Sequence, residues 1–261
     1  MRLLSASDLL EIWERGAGGT PVEQALIILA TIFPQVPGDD LARLTISQRD
    51  AALFRLRELT FGSQLKGLAD CPVCHERLEL AFDAENLCSL DILPKEEVAS
   101  PDHESIELFN AALSFQVEGY GITFRLPTSA DLMSIASTTD IAQARQCLLN
   151  ACILSVKRKR RTISVSDLPS NIVNSVLERI GQAASLANLT IAAICPACGH
   201  EWEIVFDIVS YFWSEINAWA VRIMHEIHAL ASNYGWREAD ILSMSAWRIR
   251  CTSMERCRAV G

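Results

Sequence analysis

The sequence predicts an α+β fold that is mainly helical and contains a small antiparallel sheet. Several segments begin with a helix-capping pattern and continue with apolar residues at three- and four-residue steps. Two other segments begin with Cys-x-x-Cys and continue with residues that alternate at period two, as residues in strands do. Half of the 261 residues are hydrophobic, so the chain can bury a core.

The net charge and the length of the apolar runs argue against some classes of function. The formal net charge is −9, which disfavours a general nucleic-acid binder because phosphates repel an acidic surface. The longest apolar run, Ala25 to Phe33, is about half as long as a membrane-spanning helix needs. No signal-peptide pattern follows Met1. We therefore expect a protein that is cytoplasmic at synthesis and has no membrane span.

Residues 1–62 are predicted to form an N-terminal helical region. The first helix is expected to start at Ser7-Asp8 and to end at Gly16. The next starts at Thr20 to Glu23, a capping box with proline at the first helical position, and ends before Pro34.

A further capping pattern, Ser47 to Asp50, predicts a helix that Gly62 ends. Helical periodicity divides its side chains between an inward apolar face and an outward cationic face. We expect Leu53, Phe54 and Leu56 to face the core and Arg49, Arg55 and Arg57 to face water.

An internal repeat organises the whole sequence. Cys71 to Asp83 aligns with Cys195 to Asp207 at an offset of 195 − 71 = 124, without a gap. Both cysteines, the proline after the first cysteine, one glutamate, the phenylalanine and the final aspartate are identical in the two copies. The strand residues alternate at the same phase, so both copies should turn the same face to the core. We assign residues 63–89 and 187–207 to the two hairpins.

The region 90–186 between the copies is predicted to be an inserted hairpin and helical region. We expect a loose connection over 90–104, a hairpin made by 115–117 and 122–126, and a capped helix after Pro127. Helices are expected around 139–155 and 168–186, with the basic run 157–161 as a solvated loop between them.

Residues 208–261 are predicted to form C-terminal helices. A long helix from Ile208 to about Ser232 has a wide apolar stripe with an aromatic end. A last helix is expected from about Glu238 to Cys257.

The two Cys-x-x-Cys pairs predict one structural zinc site, with Cys71, Cys74, Cys195 and Cys198 as its ligands. Zn²⁺ prefers a tetrahedron of soft ligands, and each pair at a hairpin tip supplies two thiolates. Four thiolates leave no open position for substrate, so the site is structural and the sheet resembles a zinc ribbon. The long separation of the pairs is tolerable because the entropy of loop closure grows only logarithmically with length.

Alternatives to this zinc site remain open. The cysteines could form a redox dithiol, the motif could have lost its metal, or His75 or His200 could replace one cysteine ligand. The other five cysteines, with no ligand spacing, are expected to be buried small side chains. They are Cys88, Cys147, Cys152, Cys251 and Cys257.

No other motif indicates chemistry. His225 and His228 have no third ligand within reach by sequence, so they are expected to be exposed helix residues. The run 157–161 could bind nucleic acid or an acidic partner, but a solvated loop is favoured in this acidic chain. No residue pattern marks a nucleophile or an acid–base pair, so no enzyme and no small-molecule substrate are predicted.

Three stretches together resemble a known family. They are Ser47 to Gly62 with the first Cys-Pro-x-Cys hairpin, Phe124 to Leu132, and the second hairpin with Trp213 to Ile216, His228 to Ala231 and Tyr234 to Trp236. Their order is similar to that in the baseplate hub and hub-assembly chaperone family of T-even-like phages, with relatives in contractile injection systems. The resemblance extends over about residues 40 to 245.

The resemblance implies a non-enzymatic structural protein or assembly chaperone of a contractile tail or injection-system baseplate. Its partners would be other baseplate or hub proteins, and it would be incorporated in the particle or act during assembly. The alternative is a zinc-ribbon nucleic-acid-binding protein, which should carry Lys and Arg along its ribbons. These ribbons instead carry Glu76, Glu79, Glu201 and Glu203. A metal-dependent hydrolase is disfavoured because four cysteines leave no open coordination position.

Overall fold

The computed structural model describes residues 2–83, 112–159, 161–184, 189–244, 248–249 and 252. The N-terminal part of the chain has helices α1 (Ala6–Gly16), α2 (Pro21–Ile32), α3 (Gly38–Ala42) and α4 (Ile46–Phe61), then strands β1 (Gln64–Asp70) and β2 (Arg77–Asp83). The insert has β3 (Leu113–Val117), β4 (Tyr120–Phe124), α5 (Ser129–Ile135), α6 (Ile141–Cys152), β5 (Ile153–Arg158), β6 (Arg161–Thr162) and α7 (Ser170–Ala183). The chain continues with β7 (Thr190–Ile194), β8 (Glu201–Val205), α8 (Ile208–Tyr234) and α9 (Glu238–Leu242).

Helices α1, α2 and α4 begin at capping boxes, in which a hydroxyl and a side chain three residues later accept hydrogen bonds from free backbone amides at the helix start. The box at Thr20 and Glu23 confirms the predicted start of α2. The other two starts were predicted two residues too late. Helix α1 is capped by Ser5, and α4 is capped by Thr45. The short α3 was not predicted.

The main core lies where α1, α2 and α4 pack against the N-terminal half of α8 and the inner faces of the two cysteine hairpins. The predicted apolar stripe of α8 is confirmed, because Phe212, Ile216 and Ile223 are buried along it. The distal half of α8 packs in a second cluster with Leu10 and Ile241.

The prediction that three arginines of α4 face water is wrong for two of them. The residues Arg49 and Arg57 are only 5% and 2% exposed, whereas Arg55 is exposed. Each buried guanidinium is paired with a carboxylate, Asp50 for Arg49 and Glu215 for Arg57. Charge pairing thus makes this burial tolerable, and helical periodicity alone does not reveal it.

The cysteine hairpins are β1–β2 and β7–β8, two separate antiparallel pairs. The sequence predicted one small sheet made by both hairpins, and this is wrong, because no hydrogen-bond ladder joins them among the described strands. The predicted period-two alternation is present, with exposed and half-buried residues alternating along β2 and β8.

The insert contains a four-stranded antiparallel sheet in the order β3-β4-β5-β6, covered on one face by α6 and α7. The predicted hairpin is β3–β4, but the strands β5 and β6 were not predicted. Helix α6 ends at Cys152 and is followed directly by β5. The described residues of the basic run 157–161 lie in β5, in β6 or at the turn residue Lys159, so the prediction of a loop between helices is wrong.

The insert is joined to the N-terminal helices by a backbone bridge between two capped helix starts. Thr45 and Thr128 form an isolated antiparallel bridge, and the Ile46 amide donates to the Pro127 carbonyl at 3.0 Å. The expected connection over 90–104 lies outside the described residues, as do Cys88, Cys251, Cys257 and half of the last helix expected over 238–257. The described part contradicts one continuous last helix, because α9 ends at Leu242. Within the described part of the chain, every helix is too short or too polar to span a membrane.

Candidate metal centre

The two Cys-x-x-Cys turns have the same backbone hydrogen bonds. The Cys71 amide donates to the Glu76 carbonyl, and the His75 amide donates to the Cys71 carbonyl, at 2.9 and 3.0 Å. In the second copy the Cys195 amide donates to the His200 carbonyl, and the Gly199 amide to the Cys195 carbonyl, both at 2.9 Å. Each of these bonds recurs at the repeat offset of 124, so the copies have the same local fold.

One position in each turn needs a left-handed backbone. It is His75 with φ 59° in the first copy and Gly199 with φ 72° in the second. Glycine adopts this conformation without steric cost, whereas a residue with a Cβ is strained. His75 is exposed at this bend, which places its ring on the surface rather than among the sulfurs.

The four predicted ligands come together at the hairpin tips. One ligand atom from each of Cys71, Cys74, Cys195 and Cys198 lies within 4.8 Å of all the others. The sulfurs of Cys71 and Cys198 are 3.7 Å apart, and those of Cys74 and Cys195 are 3.4 Å apart. A Zn–S distance of about 2.3 Å implies about 3.8 Å between ligand sulfurs in a tetrahedron. The four sulfurs are therefore close enough to hold one metal ion.

The two close sulfur contacts are related by the repeat. Adding 124 to Cys71 and Cys74 gives Cys195 and Cys198, so each contact joins the first cysteine of one copy to the second of the other. Such an exchange of partners is what a two-fold axis between the copies produces. The phenylalanines Phe82 and Phe206, also repeat equivalents, meet edge to face at 5.6 Å.

The sulfurs differ in exposure and in acidity. Cys71 and Cys195 are buried, whereas Cys74 and Cys198 are exposed. Although desolvation disfavours the Cys71 thiolate, backbone amides of Cys74 and Val73 lower its pKa to about 7. The Glu76 amide favours a Cys74 thiolate too, but the neighbouring sulfurs and desolvation raise the pKa of Cys74 to about 12. Several adjacent thiolates thus need a cation to coexist, and a bound metal supplies that charge.

Neither histidine of the turns belongs to the cluster that the described residues form. That cluster consists of the four cysteines alone. The His200 ring stacks on Trp202, with ring centroids 6.0 Å apart. The geometry therefore favours the all-cysteine set over the alternative with a histidine ligand.

Two side chains that sequence analysis missed hold the first hairpin against α4 and α8. The Tyr211 hydroxyl accepts from the Lys66 amide at 2.8 Å and donates to the Lys66 carbonyl at 2.9 Å. Arg57 donates to the carbonyls of Gly62 and Gln64 and pairs with Glu215. The sequence around Arg57 gives no signal of this role, because the carboxylate partner lies 158 positions away and the carbonyl partners are backbone groups of the following turn.

The remaining candidate residues stay apart from this centre. His225 and His228 are exposed on α8, as expected. Cys152 is buried, as expected, but Cys147 is exposed on α6, so the expectation of burial is wrong for that residue. Cys147 points outward because its position on α6 lies off the stripe that packs on the sheet.

Comparison with protein families gives a match over most of the chain. A family model described as T4 bacteriophage base plate protein matches residues 8–213. No curated protein and no solved structure matches the chain significantly. The matched range contains both Cys-x-x-Cys pairs and the insert between them.

Proposed function

The chain belongs to the T4 bacteriophage base plate protein family, and on this premise we propose that it is a non-enzymatic structural or assembly protein of a contractile tail baseplate. The match over residues 8–213 is the observation that carries the proposal. The family implies association with other baseplate proteins. We propose hub proteins among these partners, synthesis in the cytoplasm, and action in a phage tail or a related injection system.

The metal at the hairpin tips is, in this proposal, one structural Zn²⁺ held by Cys71, Cys74, Cys195 and Cys198. Thiolate tetrahedra suit zinc, and two Cys-x-x-Cys turns are a common way to build them. The sulfur separations of 3.4 and 3.7 Å support this geometry. With four protein ligands the ion has no open position, so it would act by joining the hairpins rather than by activating water.

The alternative of a zinc-ribbon nucleic-acid-binding protein is less well supported. The exposed residues of the hairpins include Glu79, Glu201 and Glu203. Carboxylates on the ribbons would repel phosphates, which carry most of the affinity in nucleic-acid binding.

Metal content tests the zinc part of the proposal. Protein purified without chelator should contain one zinc per chain by elemental mass spectrometry. Cys195→Ser should lose the metal and melt at a lower temperature, because metal binding contributes folding free energy. Cys147→Ser is the matched control, since that cysteine is exposed and outside the cluster. A Cys195→Ser protein with undiminished zinc and melting temperature would contradict the assigned ligand set.

Assembly tests the baseplate part independently of the metal. Deleting the coding sequence from the phage or injection-system genome should abolish complete baseplates in electron micrographs, and supply of the intact chain should restore them. Mass spectrometry of purified particles then separates the two roles, because a subunit remains in the particle and an assembly factor does not. Normal particles from the deletion strain would refute the proposal.

A further inference from the structure

A cluster of exposed cations lies at the tip of the insert sheet. The β5–β6 hairpin contains four exposed cationic residues, Lys157, Arg158, Lys159 and Arg161. Along the helices and the first cysteine hairpin, arginines are repeatedly paired with carboxylates, as Arg15 is with Glu11. Among the described residues, no ion pair involves any of the four hairpin cations. We call this group the basic tip.

The geometry of the basic tip concentrates charge rather than dispersing it. Arg158 and Arg161 are directly opposite each other across the strand pair. Like charges in this position repel and weaken the pairing of strands. The Arg158 guanidinium lies over the Tyr120 ring, 4.7 Å from its centroid, which holds it in place without neutralising it. The nearby Glu118 accepts a hydrogen bond from Asn171.

A complementary surface lies on the second cysteine hairpin. Glu201 and Glu203 point outward from β8, on the face turned away from the core. Two exposed apolar residues lie on the same face. Ile194 is directly opposite Glu201 and is 63% exposed, and Val205 is 75% exposed. Among the described residues, neither glutamate has a cation partner. We call these four residues the acidic face.

We propose that the basic tip of one chain binds the acidic face of a second copy of this chain. Two outward residues on one strand are about 7 Å apart, and two directly opposite residues are about 5 Å apart, so both arginines can reach both carboxylates. Ile194 and Val205 cover the aliphatic parts of the long cationic side chains. The chain has a net charge of −9, so the concentrated positive charge of the basic tip would orient one copy as it approaches the acidic face of another.

The contact joins two different surfaces, so it is heterologous. Repetition of a heterologous contact gives a closed ring or an open chain of copies, depending on the rotation between neighbours. This inference goes beyond the proposed baseplate role, and neither surface contains a metal ligand.

Charge reversal tests the contact. The wild-type protein should associate at low ionic strength in analytical ultracentrifugation and dissociate as salt screens the charges. The double variant Arg158→Glu/Arg161→Glu should weaken association more than about a hundredfold, because like charges then face each other. The single variant Glu203→Lys should weaken it in the same direction. The double variant Arg145→Glu/Arg179→Glu is the control, because it changes the charge equally at exposed arginines of α6 and α7. These arginines donate hydrogen bonds to the side-chain amides of Asn174 and Gln182.

A mixture provides the decisive measurement. The tip-reversed variant and Glu201→Lys/Glu203→Lys should each remain single chains, and their mixture should associate, because reversed tip and reversed face are again complementary. Circular dichroism and zinc content should be unchanged in both, which separates a failure of the contact from loss of the fold or the metal. A wild-type protein that stays a single chain at low ionic strength overturns the proposal. So does binding of a labelled DNA duplex by the basic tip without self-association.

Discussion

The ion pair between Arg57 and Glu215 should be a major determinant of stability, and Glu215→Leu tests this. Arg57 on α4 is 2% exposed in its side chain, and both of its bonds to the Glu215 carboxylate are short, 2.8 and 2.6 Å. The same guanidinium donates to the carbonyls of Gly62 and Gln64 and lies over the Tyr211 ring. Without the carboxylate, a buried cation remains with only neutral partners.

The magnitude follows from the burial of the two partners. Removing one member of a buried pair costs about 3–5 kcal/mol, because the other charge is left uncompensated. The Glu215 side chain is 25% exposed, so water can reach the site and the expected loss is at the lower end, about 3 kcal/mol. Leucine and glutamate have similar helix propensities, so the backbone contributes little to this difference.

Glu58→Leu is a closely matched control for this change. Glu58 is on the same helix as Arg57, its side chain is 24% exposed, and it pairs with Arg55, which is 54% exposed. An exposed pair contributes about 0.2–1 kcal/mol, so Glu58→Leu should cost little. Urea unfolding of the metal-loaded protein, followed by circular dichroism, measures both variants. The reasoning is refuted if Glu215→Leu lowers the unfolding free energy no more than Glu58→Leu does.

Two further changes test packing and charge elsewhere. Gly16→Ala should lower the free energy of unfolding by about 1–3 kcal/mol, because the added Cβ would lie 2.4 Å from the Trp213 ring. Gly67→Ala is the control in thermal melts, since a Cβ at that position meets no heavy atom within 4 Å. Equal melting temperatures of the two variants would contradict the close packing of Gly16 against Trp213. Burial would raise the pKa of Asp131, but pairing with Arg125 and hydrogen bonds from Thr128 outweigh it and lower the pKa. The ionised Asp131 therefore stabilises the fold fully above its unfolded pKa of about 3.9, and this stabilisation is lost as the pH falls through its folded pKa. The melting difference between wild type and Asp131→Asn should therefore narrow below about pH 4, and a constant difference would exclude this linkage.

The cysteine cluster was the most predictable part of the molecule. An ungapped repeat with Cys-x-x-Cys at the start of each copy constrains both hairpins, and period-two alternation orients them. Local capping chemistry located α2 for a similar reason, since Thr20 and Glu23 contact each other within one turn. Features encoded within a few residues could therefore be predicted approximately without the fold, although the same capping reasoning started α1 and α4 two residues too late.

Features that depend on distant partners could not be predicted. The burial of Arg57 requires Glu215, which is 158 positions later, and no local pattern indicates that pairing. Strand β5 was missed because the helix expected around 139–155 was continued over its first three residues. Strand β6 was missed because Arg161 and Thr162 are polar and exposed, so they show no apolar alternation. Strand β5 pairs with β4, whose Tyr120 and Ile122 fill the insert core, and β6 pairs with β5.

The exchange of sulfur partners between the copies indicates what a bound metal would stabilise. Cys74 and Cys195 are 195 − 74 = 121 positions apart, and the whole insert lies between them. For a covalent cross-link that closes a loop of about 100 residues, the chain-entropy model gives about 4.7 kcal/mol. A metal held by both copies would act differently, because it is released when the chain unfolds; it would stabilise the fold through its own binding free energy. The cluster joins the start and end of the insert next to the main core, where Phe82 and Phe206 meet. Loss of the metal should therefore loosen the insert relative to the helices more than it disturbs the helices themselves.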